Sequence, residues 1–151
     1  MCANLFLTLQ GQEHIWYLDS GCSRHMTGFK SLLDDYVKKD DPVVTYGDNS
    51  KGQTKGFGTI KCKTVEFKNV SYVKGLKHNL VSISQLCDAD YEVHFNKKEG
   101  KVIDSKKVSV LTANRREDIY VLDMFLNSVS HFRAIFLHII IQKRLESCHM
   151  S

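Results

Sequence analysis

The feature that most constrains this chain is a series of short segments in which apolar and polar residues alternate. Clear examples are residues 53–62, 65–67, 70–73 and 91–95. A period of two predicts strands with one buried face. Many short strands, separated by turns that carry glycine or asparagine, are typical of a small β-barrel or closed sandwich. The sequence therefore predicts an all-β fold, with further short strands expected at residues 43–46, 101–104, 108–112 and 119–122.

Two segments depart from this alternation. Residues 82–88 (SISQLCD) place Ile83 and Leu86 on one face after Ser82, a favourable N-cap, which predicts one short helix. Residues 28–37 are expected to form a short helix or an irregular loop, which ends before Pro42.

The residue pattern of the sequence changes again after residue 123. Residues 125–151 lose the alternation, and a helix is expected around residues 132–145. We therefore divide the chain into a leader (1–13), a β-barrel domain (14–124) and a divergent tail (125–151).

Composition limits the class of protein. With 42% hydrophobic and 25% charged residues, a chain of 151 residues can bury the core of one globular domain. The net charge of +4 comes from basic pairs scattered along the chain, which usually serve solubility. We expect at most a weak, electrostatic contact with RNA.

Cysteine usage and hydropathy indicate the compartment. The five cysteines show no disulfide spacing, and no secretory signal is recognisable, so reduced thiols and a cytoplasmic location are expected. No apolar run reaches the roughly 20 residues of a membrane span. We expect no membrane partner.

The tripeptide Asp19-Ser20-Gly21 follows an apolar run, residues 14–18 (HIWYL), that predicts a buried strand. A carboxylate at the end of a buried strand suits an aspartic protease. Gly21 would let the backbone turn and approach a partner, and the Ser20 hydroxyl could bond the facing loop. Such a tripeptide is also an ordinary turn, so the functional reading depends on its surroundings.

Aspartic protease chemistry needs two carboxyl groups that share one proton. The chain has a single Asp-Ser-Gly sequence. A catalytic pair would therefore require Asp19 from each of two chains at a two-fold axis.

Cysteine and histidine offer competing chemistry. Cys22 and His25 have a C-x2-H spacing, and His78 with Cys87 could complete a zinc site, although that second spacing is not a recurrent one. Cys22 and His25 could alternatively form a thiol protease dyad. We expect neither a metal nor a cofactor.

The order of motifs resembles the protease segment of copia-type retrotransposon polyproteins of plants. The similar stretches are IWYLDSGCSRHMTG (15–28), VTYGDNSKGQTKGFGTI (44–60), NVSYVKGLKHNLVSISQLCDADYEVHF (69–95) and DIYVLDM (118–124). This resemblance implies a retropepsin-like aspartic protease with a closed β-barrel, which cleaves its Gag-Pol polyprotein as a homodimer. The setting would be an intracellular virus-like particle.

The resemblance also implies roles for individual residues. Asp19 would be the catalytic aspartate, and Ser20 and Gly21 would complete its loop. Residues 79–86 would pack behind that loop. A flap over residues 46–58 would bind the polyprotein peptide through six positions: Tyr46, Gly47, Asn49, Ser50, Gly52 and Gly56. A catalytically inactive barrel that serves as a structural or interaction module of the polyprotein remains the alternative.

Overall fold

A computed structural model describes residues 12–41, 43–46 and 50–128 of the chain. Eleven strands occur in this part: β1 Ile15–Asp19, β2 Met26–Thr27, β3 Asp34–Lys38, β4 Val43–Tyr46, β5 Ser50–Cys62, β6 Val65–Val73, β7 Asn79–Ser82, β8 Glu92–Phe95, β9 Glu99–Ile103, β10 Ser109–Arg116 and β11 Ile119–Asp123. The helices are α1 Ile83–Asp88 and α2 Met124–Ser128, with 3-10 turns at Gln12–His14 and Lys30–Leu32.

All of these strands belong to one hydrogen-bonded network. The order is β3-β5-β6-β2-β7-β1-β11-β10-β9-β8, and β4 pairs with β5 beside this path. Two pairs, β1 with β7 and β2 with β6, are parallel, whereas the others are antiparallel. The predicted all-β class is confirmed.

The prediction of a closed barrel is wrong for the described residues, because the path has two ends, β3 and β8. Alternation reports which face of a strand is buried, but it does not report which outer strands pair. Curvature instead comes from register shifts in β5, between Thr54 and Gly56 and between Gly58 and Ile60.

The core follows the alternation of the strands. It is built around Trp16, Phe67, Val81, Leu86 and Leu122, all at most 2% exposed. In β5 the even-numbered positions from 52 to 62 are buried, as a two-residue period requires.

Asn69 merges two predicted strands into one. Residues 65–67 and 70–73 form the single strand β6, and Asn69 within it has a φ of +55°. Asparagine tolerates this left-handed conformation better than most residues. The local change of backbone shifts the alternation, so that both Phe67 and Val70 face the core.

The helix predicted at residues 82–88 is confirmed as α1, since the Ser82 side chain accepts a hydrogen bond from the Gln85 backbone N–H at its N-cap. Residues 28–37 contain a 3-10 turn and then the strand β3, which sequence analysis missed. The short strands β2 and β7 were missed as well.

The start of the predicted tail includes a contact with the sheet. The Asn127 amide accepts a hydrogen bond from the Thr112 N–H (3.0 Å) and donates to the Thr112 carbonyl (3.2 Å). The helix expected at residues 132–145 lies outside the described residues. Within the described ranges no helix is long and apolar enough to span a membrane.

Candidate functional site

Asp19 ends the strand β1, which lies between β7 and β11 in the sheet. Its last parallel partner is Ser82 of β7. Trp16 anchors the strand in the core, whereas Asp19 is half-buried and the next two residues, Ser20 and Gly21, are exposed. The acidic side chain therefore stands where a central strand leaves the sheet.

The loop folds back onto the carboxylate. The Gly21 N–H donates a 2.6 Å hydrogen bond to Asp19 Oδ1. A Cβ at position 21 would lie 3.2 Å from the same oxygen, a tight contact. Glycine at this position lets the backbone N–H reach the carboxylate without crowding it.

Cys22 lies directly behind this turn with its side chain buried. Its Sγ is 3.8 Å from the Asp19 carbonyl oxygen, as donor in a weak hydrogen bond. Burial, and secondarily the negative charge of Asp19, raise the pKa of the Cys22 thiol to about 12. The thiol is therefore protonated at neutral pH.

His25 closes the loop as a neutral, buried side chain. Its ring Nδ1 accepts a hydrogen bond from the Ser82 backbone N–H at 2.9 Å, and the backbone N–H of His25 donates to Gln85 Oε1 at 2.8 Å. Burial lowers the pKa of His25 to about 4. Its ring also meets Phe67 edge to face, 5.3 Å between centroids.

The segment 79–86 lies behind the loop and holds it by further hydrogen bonds. Ser82 Oγ donates to the Cys22 carbonyl oxygen at 2.7 Å. Gln85 Nε2 donates to the Lys68 carbonyl oxygen at 2.7 Å, which ties α1 to β6 as well. We call the contacts of Cys22 and His25 with Ser82 and Gln85 the loop latch.

The latch argues against both cysteine–histidine alternatives. A thiol protease needs a thiolate beside an imidazolium, whereas here the pKa of Cys22 is raised and that of His25 is lowered. Among the described residues, no three histidine, cysteine or acidic side chains come together as metal ligands. His78, for its part, packs edge-on against the ring of Tyr17.

The predicted flap forms the hairpin β4–β5, in which Tyr46 pairs with Ser50 and Val44 with Gly52. Gly47 and Asn49, two of the six predicted binding positions, lie outside the described residues. Gly56 lies further along β5, opposite Lys38 of β3. A Cβ there would overlap the Tyr36 side chain and the Val37 carbonyl, so close packing of β3 already accounts for this glycine.

A cavity of about 760 Å³ lies between the loop, the hairpin and α1. Arg24 and Ser23 line it from the loop, and Val44 and Thr54 line it from the hairpin. The other lining residues are Met26, Lys39, Asp41, Phe57, Asn69, Ser71 and Gln85. Sequence analysis assigned none of these a binding role, because they come from five separate segments that only the fold brings together.

Comparison with known proteins identifies related sequences. Residues 16–91 match the family described as Pol polyprotein, beta-barrel domain. The chain is 29% identical to the retrovirus-related Pol polyprotein from transposon TNT 1-94 of Nicotiana tabacum, over 92% of this chain and 12% of that protein. It is 30% identical to the corresponding polyprotein from transposon RE1 of Arabidopsis thaliana, over 78% of this chain and 8% of that protein.

A third relative is a putative transposon Ty5-1 protein of Saccharomyces cerevisiae, 31% identical over 45% of this chain and 47% of the relative. The chain thus spans about a tenth of the length of the two plant polyproteins. No solved structure matches it significantly.

Proposed function

The chain belongs to the Pol polyprotein β-barrel domain family of transposon polyproteins, and from this premise we propose that it is a homodimeric aspartic endopeptidase. Its substrate would be a peptide of its own polyprotein, cleaved in the cytoplasm within a virus-like particle. The observation that carries the proposal is the position of Asp19, at the end of a central strand, in an exposed loop.

The requirement for two chains follows from charge and from the single Asp-Ser-Gly sequence. One carboxylate alone cannot supply both an acid and a base. Two Asp19 side chains about 3 Å apart cannot both ionise, so the pair would hold one proton. The pair would titrate as a unit.

Hydrolysis then uses both members of the pair. The ionised carboxylate takes a proton from water while the water oxygen attacks the peptide carbonyl carbon. The protonated carboxyl gives its proton to the carbonyl oxygen, which forms a neutral tetrahedral diol. Proton transfer to the amide nitrogen breaks the C–N bond and releases an amine and a carboxylic acid.

The surroundings of Asp19 support this chemistry. Since the Gly21 N–H engages Oδ1, the other oxygen, Oδ2, is the atom that would face the water and the partner's carboxyl. The latch holds the loop without covering Ser20 and Gly21, so a second copy has access to them.

The cavity beside the loop supports a peptide as the ligand. Its volume of about 760 Å³ is within the usual range of ligand sites. Val44, Met26 and Phe57 supply apolar lining, and Arg24 supplies positive charge. We propose that it receives a side chain of the bound peptide below the hairpin.

A peptide spanning a polyprotein junction tests the function. Wild-type protein should cleave it, and Asp19→Asn should abolish cleavage while remaining folded. Asp88→Asn, which changes an exposed carboxylate far along the chain, is the matched control and should retain cleavage. If the wild type is a folded dimer and is as inert as Asp19→Asn, the alternative of an inactive structural module is the correct one.

Mixing experiments test the shared site. When equal amounts of wild type and Asp19→Asn exchange subunits, about a quarter of the dimers carry two aspartates. Activity should therefore fall to about a quarter of that of the same total concentration of wild type. A fall to only about half would mean that each subunit acts alone, which would contradict the shared pair.

A further inference from the structure

Two basic pairs that are distant in sequence meet in the fold. Lys97 and Lys98 form the turn between β8 and β9, and Arg115 and Arg116 end β10. The Arg115 N–H donates to the Lys98 carbonyl oxygen at 2.9 Å, and its guanidinium Nη1 donates to the Lys97 carbonyl oxygen at 3.3 Å. The two hairpin tips are therefore fixed side by side with four cations.

An aromatic pair lies beside these cations. The rings of Phe95 and Tyr120 are 4.6 Å apart between centroids, and the Tyr120 hydroxyl donates to the Asn96 carbonyl oxygen at 2.9 Å. Phe95 is nevertheless 44% exposed. It lies over Gly100, where a Cβ would collide with its ring. A large aromatic ring is thus held in place with much of its surface in water.

The cations of the tips differ from two other lysines that lie in or next to β9. Lys101 pairs with Glu99, and Lys107 pairs with Glu92. Within the described ranges, Lys97, Lys98, Arg115 and Arg116 have no carboxylate within ion-pair distance. None of these four cations is therefore held in an ion pair. We call these four residues, with Phe95 and Tyr120, the hairpin-tip patch.

We propose that the hairpin-tip patch binds single-stranded RNA. Unpaired cations suit a phosphate backbone, and an exposed aromatic ring suits stacking on an unpaired base. A duplex keeps its bases stacked inside and would leave the ring without a partner. Glu117 and Asp118, in the adjoining turn, repel phosphate but can accept a hydrogen bond from a 2′-hydroxyl, which favours RNA over DNA.

The patch lies at the same end of the sheet as the Asp-Ser-Gly loop. Tyr17 pairs with Val121, and β1 ends two residues later, so the beginning of β11 lies beside the end of β1. Leu18 approaches Gly100, on which Phe95 lies. RNA on this patch would consequently run beside the loop that carries Asp19.

Binding of a labelled RNA oligonucleotide to the full chain with Asp19→Asn, which separates binding from cleavage, tests the proposal. The triple variant Lys97→Gln, Lys98→Gln and Arg116→Gln should weaken binding at least tenfold. It should reduce the slope of log affinity against log salt by about two, since about 0.7 counterions are released per neutralised phosphate of a single strand. Phe95→Leu should weaken binding about fivefold with little change of slope.

A control variant and four other ligands decide the outcome. Lys74→Gln with Lys77→Gln removes two exposed charges elsewhere and should change the affinity less than twofold. Single-stranded DNA of the same sequence should bind more weakly than RNA. Equal losses in the control, an effect of the triple variant on polyglutamate or anionic vesicles as large as that on RNA, or binding of duplex RNA that is equally tight and insensitive to Phe95→Leu would each overturn the proposal.

Discussion

The two parts of the sheet are held together in different ways. Around the candidate site, β1 pairs with β7 and β2 with β6 in parallel, between segments far apart in sequence. From β8 to β11, each strand pairs with its neighbour in sequence. We call the first part, built on β1, β2, β6 and β7, the crossed half, and the second part, β8–β11, the meander half. The part that positions Asp19 is thus the part with the least local connectivity.

The two halves also differ in the kind of side chain that they bury. The crossed half buries the polar side chains of His25, Thr27, Ser71, Asn79 and Ser82. The strands of the meander half bury mainly apolar side chains: Val102, Leu111, Ala113, Val121 and Leu122. Buried polar groups are directional, so they can fix a loop at one position, whereas apolar contacts tolerate small shifts. Positioning of the candidate site therefore depends on hydrogen bonds.

Replacing one glycine in each half should give the largest difference. In Gly28→Ala the new Cβ would overlap the Leu76 carbonyl oxygen, part of the backbone, and we expect a loss of about 4 kcal/mol of unfolding free energy. In Gly100→Ala the Cβ crowds side chains and no backbone atom, namely the Phe95 ring and the end of the Leu18 side chain, and we expect a loss of about 1 kcal/mol. Urea denaturation measures both. Equal losses would show that the crossed half yields as readily as the meander half.

Asn79 should show how strongly the crossed half depends on polar bonds. Its amide accepts from the Thr27 hydroxyl at 2.7 Å and donates to the carbonyl oxygens of Glu13 and Ile15. Asn79→Ala removes these three hydrogen bonds from a buried side chain, and we expect a loss of about 3 kcal/mol in denaturant. Asn114→Ala, at an exposed position of β10, should cost less than about 0.5 kcal/mol. Similar losses of unfolding free energy in Asn79→Ala and Asn114→Ala would show that the crossed half does not depend more strongly on polar bonds.

Acid should destabilise the crossed half through His25. Burial lowers the pKa of His25 from 6.5 to about 4, so between these values the unfolded chain binds more protons than the folded one. The contribution of neutral His25 to the free energy of unfolding is complete above pH 6.5. It is lost as the pH falls towards 4, and the total loss is up to about 3 kcal/mol. The urea concentration at the midpoint of unfolding should therefore fall as the pH is lowered from 6.5 to 4.

Two histidine variants isolate this contribution. His25→Gln should flatten the dependence between pH 4 and 6.5. His94→Gln, which removes an exposed histidine of the meander half, should leave the dependence as in the wild type. A pH dependence that is unchanged in His25→Gln would assign the acid effect to other groups.

Ser82 should give the smallest of these differences. Ser82→Ala removes the N-cap of α1 and the bond to Cys22, and we expect a loss of about 1.5 kcal/mol. Asn96→Ala removes the turn acceptor for the N–H groups of Lys98 and Glu99 at an exposed site, and about 0.5 kcal/mol is expected. Thermal unfolding compares them. Hydrogen exchange at the Gly21 N–H should rise in Ser82→Ala alone, if the latch positions the loop.

The two halves also differ in how well their strands could be predicted from the sequence. The segments expected at 91–95, 101–104, 108–112 and 119–122 correspond to β8–β11, the strands of the meander half. The strands β2 and β7 have only two and four residues, so no periodicity can be read from them. Their existence depends on partners that lie far along the chain.

The site was predictable to the same limited extent. An apolar strand before Asp19 and a hairpin from residue 43 were visible in the sequence. The bonds of His25 to Ser82 and Gln85, across 57 and 60 residues, carry no local signal, and neither does the set of residues around the cavity. What sequence periodicity cannot report is which distant side chains satisfy a buried polar group.

The central position of β1 has a consequence for the timing of synthesis. This strand comes first in the sheet by sequence, yet its neighbours are β7, which ends at residue 82, and β11, which ends at residue 123. On a ribosome that adds about 5 to 20 residues per second, the first strand must wait for the last one. A nascent chain therefore cannot complete the strands on both sides of Asp19 until residue 123 has emerged, so the activity that we propose for Asp19 could begin only after that point.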